Sequence, residues 1–463
     1  MTPQPGRTSL PAAGRLESGP LDAGTGLLTD HYELTMLRAA LHSGAARQRA
    51  VFEVFARSLP SGRRYGVVAG QGRLLEALAS FRFSDADLRF LTDSGVIDDV
   101  TLRYLESYSF GGDIWAYAEG DCYFPGSPIL VVEGTFAEAV LLETVTLSIL
   151  NHDCAIASAA SRMVTAADGR PLIEMGSRRT HEFAAVASAR AAYITGFAAT
   201  SNLRAGRDYG VPTSGTSAHS FTLAHDDEGH AFGAQLTALG TDTTLLVDTY
   251  DVESAVRTAV ELAGPGLGAV RVDSGDLPVI AREVRALLDS LGAAHTRIVL
   301  TGDLDEYSIA ALAATPVDGY GVGTSLVTGS GAPTAALVYK LVARAGAGPA
   351  GRLQPVAKRS VGKPGRGGRK WASRQLDRGG TAVAEVVSDR PPEPGAASRV
   401  LLRQLVRDGE IVGREPLAAA RARHRAAVAE LPAHARRLAR GYAAIPTVFT
   451  PDAEENGASP DRA

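Results

Sequence analysis

The chain reads as an α/β protein built on a parallel sheet, and two features of its 463 residues predict this. Over 136–323, short apolar runs alternate with helical stretches, the signature of strands joined by helical crossovers. Nearly every run ends in a polar or glycine-rich cluster, where parallel α/β folds build their ligand sites. The pattern alone leaves open whether the sheet closes into a barrel or stays open.

Composition frames the rest. Hydrophobic residues make up 45% and charged residues 21%, close to the soluble globular average, which excludes wholesale disorder. The net charge of −4 argues against a protein that coats nucleic acid. No apolar stretch reaches the length of a membrane span, and the nearest, 139–150, carries Glu143. Two cysteines, Cys122 and Cys154, cannot make a disulfide framework and fit a reducing cytoplasm. Of 47 basic residues only four are lysines, Lys340, Lys358, Lys363 and Lys370, all within 31 residues. Both a phosphate-handling role and chance composition fit that cluster.

Residues 1–25 are rich in Pro, Gly and Ser, have no signal-peptide core, and read as a disordered tail. A first α/β domain is expected over 26–135. Thr29 or Asp30 caps a helix through Tyr32, Met36, Leu37 and Leu41, and 51–56 alternates like a strand. A helix is expected over 66–78, then two more over 83–110 split at Asp93-Ser94-Gly95, then strands at 113–117 and 129–133. The catalytic α/β domain is expected over 136–343. It opens with helices 136–150 and 155–167. Strands follow at 171–175, 243–247, 268–272, 297–300 and 317–322, with helices near 182–199, 251–263, 276–291 and 305–314. A strand-like run at 209–212 precedes His219, and another at 334–342 closes this region. Residues 344–445 read as a loop followed by a helix over 416–441, packing on the first domain, and 446–463 as a second disordered tail.

The strand ends carry the chemistry. Thr301-Gly302-Asp303 and Gly321-Val322-Gly323-Thr324 lie one strand–helix unit apart, and small residues there free backbone amides to hold phosphate; tight turns use the same residues. No Gly-Lys-Ser/Thr P-loop and no GxGxxG dinucleotide fingerprint is present. Arg178-Arg179 and Arg271 offer paired donors for phosphate or carboxylate, or surface ion pairs. Asp273 and Asp276 suit ribose hydroxyls, Mg²⁺ through water, or a developing positive charge, and Asp276 also suits a helix cap. His219 lies among small residues that leave its ring accessible. HExxH spacing and a GxSxG elbow are both missing, which argues against a zinc site and a serine hydrolase.

Six runs in order together resemble the nicotinate phosphoribosyltransferase family. They are 28–36 (Leu-Thr-Asp-His-Tyr-Glu-Leu-Thr-Met), 174–179, 215–220, 272–277, 321–325, and 338–342 with the basic segment 358–371. The resemblance spans 28 to about 375 and fades beyond about 400. It implies an irregular α/β barrel of the type II phosphoribosyltransferase kind, joined to an N-terminal α/β domain. It implies an ATP-using ligase that makes nicotinate mononucleotide and pyrophosphate from nicotinate and phosphoribosyl pyrophosphate, with Mg²⁺, in a cytoplasmic homodimer sharing its active sites. His219 would be the phosphorylated histidine, with Asp273 and Asp276 as catalytic carboxylates and no metal held by direct protein ligation. Tyr32, Thr216 and Arg271 would contact nicotinate, while Gly302, Asp303, Gly323 and Thr324 would hold the ribose 5-phosphate. Asp30, Arg178 and Arg179 join the substrate-binding set. Two other readings remain: a nicotinamide phosphoribosyltransferase, which would want an aspartate at 200–202, and a non-catalytic phosphosugar- or nucleotide-binding barrel.

Overall fold

The computed structural model describes residues 24–346, 351–358, 366–393, 395 and 397–450; the expected tails at 1–23 and 451–463, and Lys363, lie outside them. The alternating strand Arg49–Ala56 is an inner strand, third in a seven-stranded antiparallel sheet. Its order is Leu353–Pro355, Leu337–Ala345, Arg49–Ala56, Leu130–Thr135, Asp113–Tyr117, Leu402–Arg407 and Glu410–Ile411. One apolar core, including Val54, Val131, Leu37 and Leu74, packs this sheet against the N-terminal helices.

Local chemistry explains the helix starts. Ser84 with Asp87, and Thr135 with Glu138, form reciprocal capping boxes. The polar cluster 151–154, expected to break a helix, does not. Glu143–Ala167 runs on as one helix of 25 residues, and the break falls at 141–142 instead. Tertiary partners satisfy the cluster: Arg73 and His152 reach Asp153 at 2.7 and 2.8 Å, and Asn151 accepts from the Leu337 backbone at 2.8 Å.

The second sheet is parallel throughout. Its six strands run in the order Ala199–Thr200, Leu172–Glu174, Gly319–Val322, Arg297–Leu300, Ala269–Val272 and Thr244–Leu246. They form the half-barrel of an irregular α/β barrel, with a second core of residues such as Val270, Ile298 and Leu300 beneath their helices. All five expected strands are there. The sixth, Ala199–Thr200, is two residues long and carries no periodic signal. The run expected to be strand-like at 209–212 is not a strand: Tyr209 ends the helix Leu203–Tyr209 and 210–212 is irregular, and Glu228–Leu239 is a further helix.

The C-terminal region corrects the expectation of loop then helix. Leu337–Ala345, which the boundary at 343 leaves with the barrel, pairs with Arg49–Ala56. Trp371–Leu376, Ala382–Ser388, Ser398–Val400 and Thr447–Phe449 form a four-stranded sheet, so 446–450 is not tail. The helix Leu417–Glu430 packs on the barrel as well as on the expected N-terminal domain: Arg421 donates to the carbonyls of Gly196 and Phe197 at 3.0 and 2.7 Å, and Arg423 donates to the Glu119 carbonyl at 2.6 Å. Lys370 is a structural residue, buried with Glu53 at 2.8 Å, and Lys340 lies 3.8 Å from Glu143.

His424 on that last helix is buried, with Nδ1 3.0 Å from the Gly120 carbonyl and Nε2 3.0 Å from the Ser161 hydroxyl. Burial lowers its pKa to about 4. The folded chain therefore prefers the neutral ring, while the unfolded chain protonates near pH 6.5. Its contribution to stability is fully present above about pH 6.5 and declines towards pH 4, by up to about 3 kcal/mol. Thermal melts between about pH 7.5 and 4.5 check this, and His424→Gln should flatten that part of the profile.

Candidate active site

The carboxyl ends of the parallel strands converge on the Arg271 guanidinium, carried by Ala269–Val272. Its Nε donates to Thr301 at 2.8 Å, Nη1 to Thr216 at 2.8 Å and the Ser217 carbonyl at 3.4 Å, and Nη2 to Asp273 at 2.8 Å. Four of its five N–H donors are thus spent on three neighbouring loops. Burial pushes the Asp273 carboxyl up, but hydrogen bonds from Thr301 and Arg271 outweigh it and hold the pKa below its usual value.

His219 opens the short helix His219–Leu223 and stands partly exposed beside this network. Its Nδ1 is 3.1 Å from the Thr249 hydroxyl, and its Nε2 is 3.8 Å from Asp248 Oδ1. Asp248 is the main residue that sequence reasoning missed. Its Oδ2 accepts from the Asp273 backbone at 2.9 Å and the Ser274 hydroxyl at 2.7 Å, while the buried Oδ1 has no hydrogen-bond partner. Its place at a strand end was visible beforehand, but its pairing with His219 crosses 29 residues and a helix.

The glycine-rich ends are built for close approach. Gly302 has φ +125°, and a Cβ there would sit 3.0 Å from the Asp273 carbonyl oxygen. At Gly321 a Cβ would lie 2.5 Å from Thr301 and 2.7 Å from Met175, so three strand ends pack through the missing side chain. At Gly323 a Cβ would meet only Met175, at ordinary contact distance, so the space beside that loop is open. Asp303 and Thr324 are exposed at these loops, and Arg178 and Arg179 are exposed on the turn after Leu172–Glu174. Among the described residues neither arginine pairs with a carboxylate, whereas Arg271 does, with Asp273 at 2.8 Å. Asp276 caps Leu277–Ser290 through a long 3.4 Å bond and is otherwise exposed.

A second missed residue is Glu174. It is fully buried, its pKa raised by that burial, and its oxygens accept from Gly176 N and the Thr200 hydroxyl. Asn202 is likewise committed, capping Leu203–Tyr209 and donating to Ser177 at 3.0 Å. Among the described residues Asp30 and Tyr32 share no hydrogen bond or ion pair with the residues of the mouth. Asp30 accepts from Thr144 at 3.1 Å, and Tyr32 faces Glu143 and Glu33, which together with burial raise its pKa. At 45% exposure Tyr32 is not a core residue of its helix. Among the described residues no three His, Cys, Asp or Glu side chains gather into a metal site.

A half-barrel with arginines, carboxylates and open glycine loops at one mouth defines an α/β-barrel enzyme that handles anionic substrates. The nicotinate phosphoribosyltransferase N-terminal domain model matches residues 27–151. The nicotinate phosphoribosyltransferase pncB1 of Mycobacterium tuberculosis is 59% identical over 452 residues, covering 95% of this chain and 99% of that protein. The Bacillus subtilis nicotinate phosphoribosyltransferase is 38% identical over 337 residues, 71% of this chain and 69% of its own. The crystal structure of the human nicotinic acid phosphoribosyltransferase superposes with a TM-score of 0.78 at 27% identity, covering 91% of this chain and 97% of that one. The chain belongs to the nicotinate phosphoribosyltransferase family.

Gly302→Ala should cost about 1–3 kcal/mol, because the backbone there favours only glycine. Urea unfolding of the variant against the parent chain measures it.

Proposed function

We propose that the chain joins nicotinate to phosphoribosyl pyrophosphate, giving nicotinate mononucleotide and pyrophosphate, the first step of NAD salvage from nicotinate, with ATP hydrolysis coupled through His219. The observation that carries this reading is the Arg271 fork, which ties Thr216, Asp273 and Thr301 together one loop away from the His219–Asp248 pair.

The pyridine nitrogen attacks ribose C1 with its free lone pair, the C1–O bond to pyrophosphate breaks, and pyrophosphate leaves with the electrons. No general base is needed. Asp273, kept ionised by Arg271 and Thr301, is placed to balance positive charge growing on the ribose. Arg178 and Arg179, which pair with no carboxylate among the described residues, suit the substrate's phosphates, and the amides around Gly302, Asp303 and Gly323 together with the exposed Thr324 hydroxyl suit the 5-phosphate. The last free Arg271 N–H and the Thr216 hydroxyl suit the nicotinate carboxylate. Against nicotinamide, 200–202 holds no carboxylate, and buried Glu174 has both oxygens occupied. Mg²⁺ fits here as a cation of the substrate: Asp248 Oδ1 accepts no hydrogen bond among the described residues, and Asp276 is exposed at the same mouth. Held chiefly by the phosphates, with these carboxylates reached through water, it would neutralise charge on the leaving group.

In the ATP step an imidazole nitrogen of His219 forms a P–N bond to the γ-phosphorus, the bridging P–O bond breaks, and ADP departs. Water later releases phosphate. Asp248, 3.8 Å from the ring, would steady the positive charge the imidazole carries. The buried free cysteines suit a cytoplasmic setting.

The test supplies nicotinate or nicotinamide with phosphoribosyl pyrophosphate and Mg²⁺, with and without ATP, and follows mononucleotide by mass. Nicotinate should be the substrate, and His219→Ala should keep weak ATP-independent synthesis while losing ATP stimulation and acid-labile phosphate labelling. Failure to make mononucleotide would favour the binding-barrel reading. The homodimer is tested by complementation, since Tyr32 is exposed, makes none of the mouth's contacts among the described residues, and suits a partner's site. Tyr32→Ala and Arg271→Ala chains, each inactive, should recover up to about a quarter of wild-type activity after subunit exchange at equal mixing, one site in each heterodimer being intact. Exchange without recovery would mean that each chain builds its own site.

A further inference from the structure

The glycine-rich loop 301–305 and the loop segment 323–331, which includes the short helix Thr324–Val327, follow the adjacent strands Arg297–Leu300 and Gly319–Val322. Their conformations need external support. Gly329, Ser330 and Gly331 take successive positive φ values of +64°, +51° and +81°, and Ser330 does so with a side chain attached. Such backbone persists only where its surroundings hold it.

The hold comes from a buried cluster outside the mouth. Glu306, the first residue of the helix that ends the 301–305 loop, accepts from the Ser330 hydroxyl with Oε2 and from Arg162 Nε at 2.9 Å with Oε1. Arg162 also donates to the Gly62 carbonyl at 2.8 Å and the Leu438 carbonyl at 3.1 Å, which fixes its fork. Arg63 donates to the Gly329 carbonyl and to the Ala155 carbonyl at 3.1 Å. Glu306, Arg162 and Arg63 are all buried. One carboxylate thus bridges the root of one loop to the strained turn of the other.

We propose that Glu306 is a positioning residue which, through Ser330, sets the separation of the two loops and so the grip on the ribose 5-phosphate. This rests on the assignment of the 5-phosphate to those loops. Arg162 orients the carboxylate, and Arg63 anchors the far end of the 323–331 turn. A carboxylate suits the task because it accepts from a guanidinium and a hydroxyl at once. A glutamine would present an NH₂ group to one of those donors.

The experiment measures KM for each substrate and thermal stability in Ser330→Ala, Glu306→Gln and, as a direct loop control, Thr324→Val. Ser330→Ala removes only the bridge and leaves the Glu306–Arg162 pair, so it decides the matter if Glu306→Gln fails to fold. The expected result is a KM for phosphoribosyl pyrophosphate raised about tenfold, as for one lost hydrogen bond to a charged group, with the KM for nicotinate little changed. If Thr324→Val raises that KM and Ser330→Ala does not, the positioning role is overturned and the phosphate assignment stands. If Thr324→Val has no effect, the phosphate assignment falls and the inference falls with it. Equal rises in both KM values with a lower melting temperature would reduce Glu306 to a general structural residue.

Discussion

The site depends on the fan of hydrogen bonds around one guanidinium. Arg271 lies on an inner strand of a parallel sheet, and its donors reach Thr216 on one side, Asp273 beside it and Thr301 on the other. A planar fork can do this because its five N–H bonds diverge at fixed angles from three nitrogens, whereas an ammonium has three donors on a single nitrogen and could not serve all four acceptors, the Ser217 carbonyl included. The Asp273 backbone in turn donates to Asp248, so the histidine's carboxylate is placed by the loop that Arg271 holds. Position and charge at the mouth are therefore one problem, solved by one side chain.

The strands whose partners are near in sequence were legible from pattern. Asp113–Tyr117 and Arg297–Leu300 fall at their expected residues, because alternation or a short apolar run between turn signals leaves little choice. What could not be read depended on distant partners. The polar run 151–154 looks like a helix break until Arg73 and Leu337 arrive to satisfy it. Thr447–Phe449 is a strand only because Ala382–Ser388 lies beside it. At the site, Arg271, Asp273, His219 and the glycine loops stood out by residue type and place. Asp248 and Glu174 are carboxylates at strand ends like many others, and only the fold reveals which atoms they face.

The lysine cluster carries a similar lesson. Lys370 is committed to Glu53, with Arg369 stacked 3.5 Å from the Trp371 ring centre and bonded to Glu133 at 2.9 Å. These pairs bind the C-terminal region to two adjacent inner strands of the first sheet, Arg49–Ala56 and Leu130–Thr135. Arg178 and Arg179, on a turn after an inner strand, are exposed at the mouth and pair with no carboxylate among the described residues. Burial, not residue type, separates the charges that hold the chain together from those available to a ligand.

The antiparallel sheet also imposes an order on the chain's birth. Arg49–Ala56, Asp113–Tyr117 and Leu130–Thr135 leave the ribosome early, yet the strands on either side of them are Leu337–Ala345 and Leu402–Arg407. At about 5–20 residues per second, the nascent three-stranded sheet waits roughly ten seconds to a minute for its flanks. Throughout that interval both edges are bare and able to pair with another nascent chain. The same long-range closure that unites the finished molecule makes its synthesis the period of greatest exposure to aggregation, and a chain stopped before residue 337 would carry that exposure permanently.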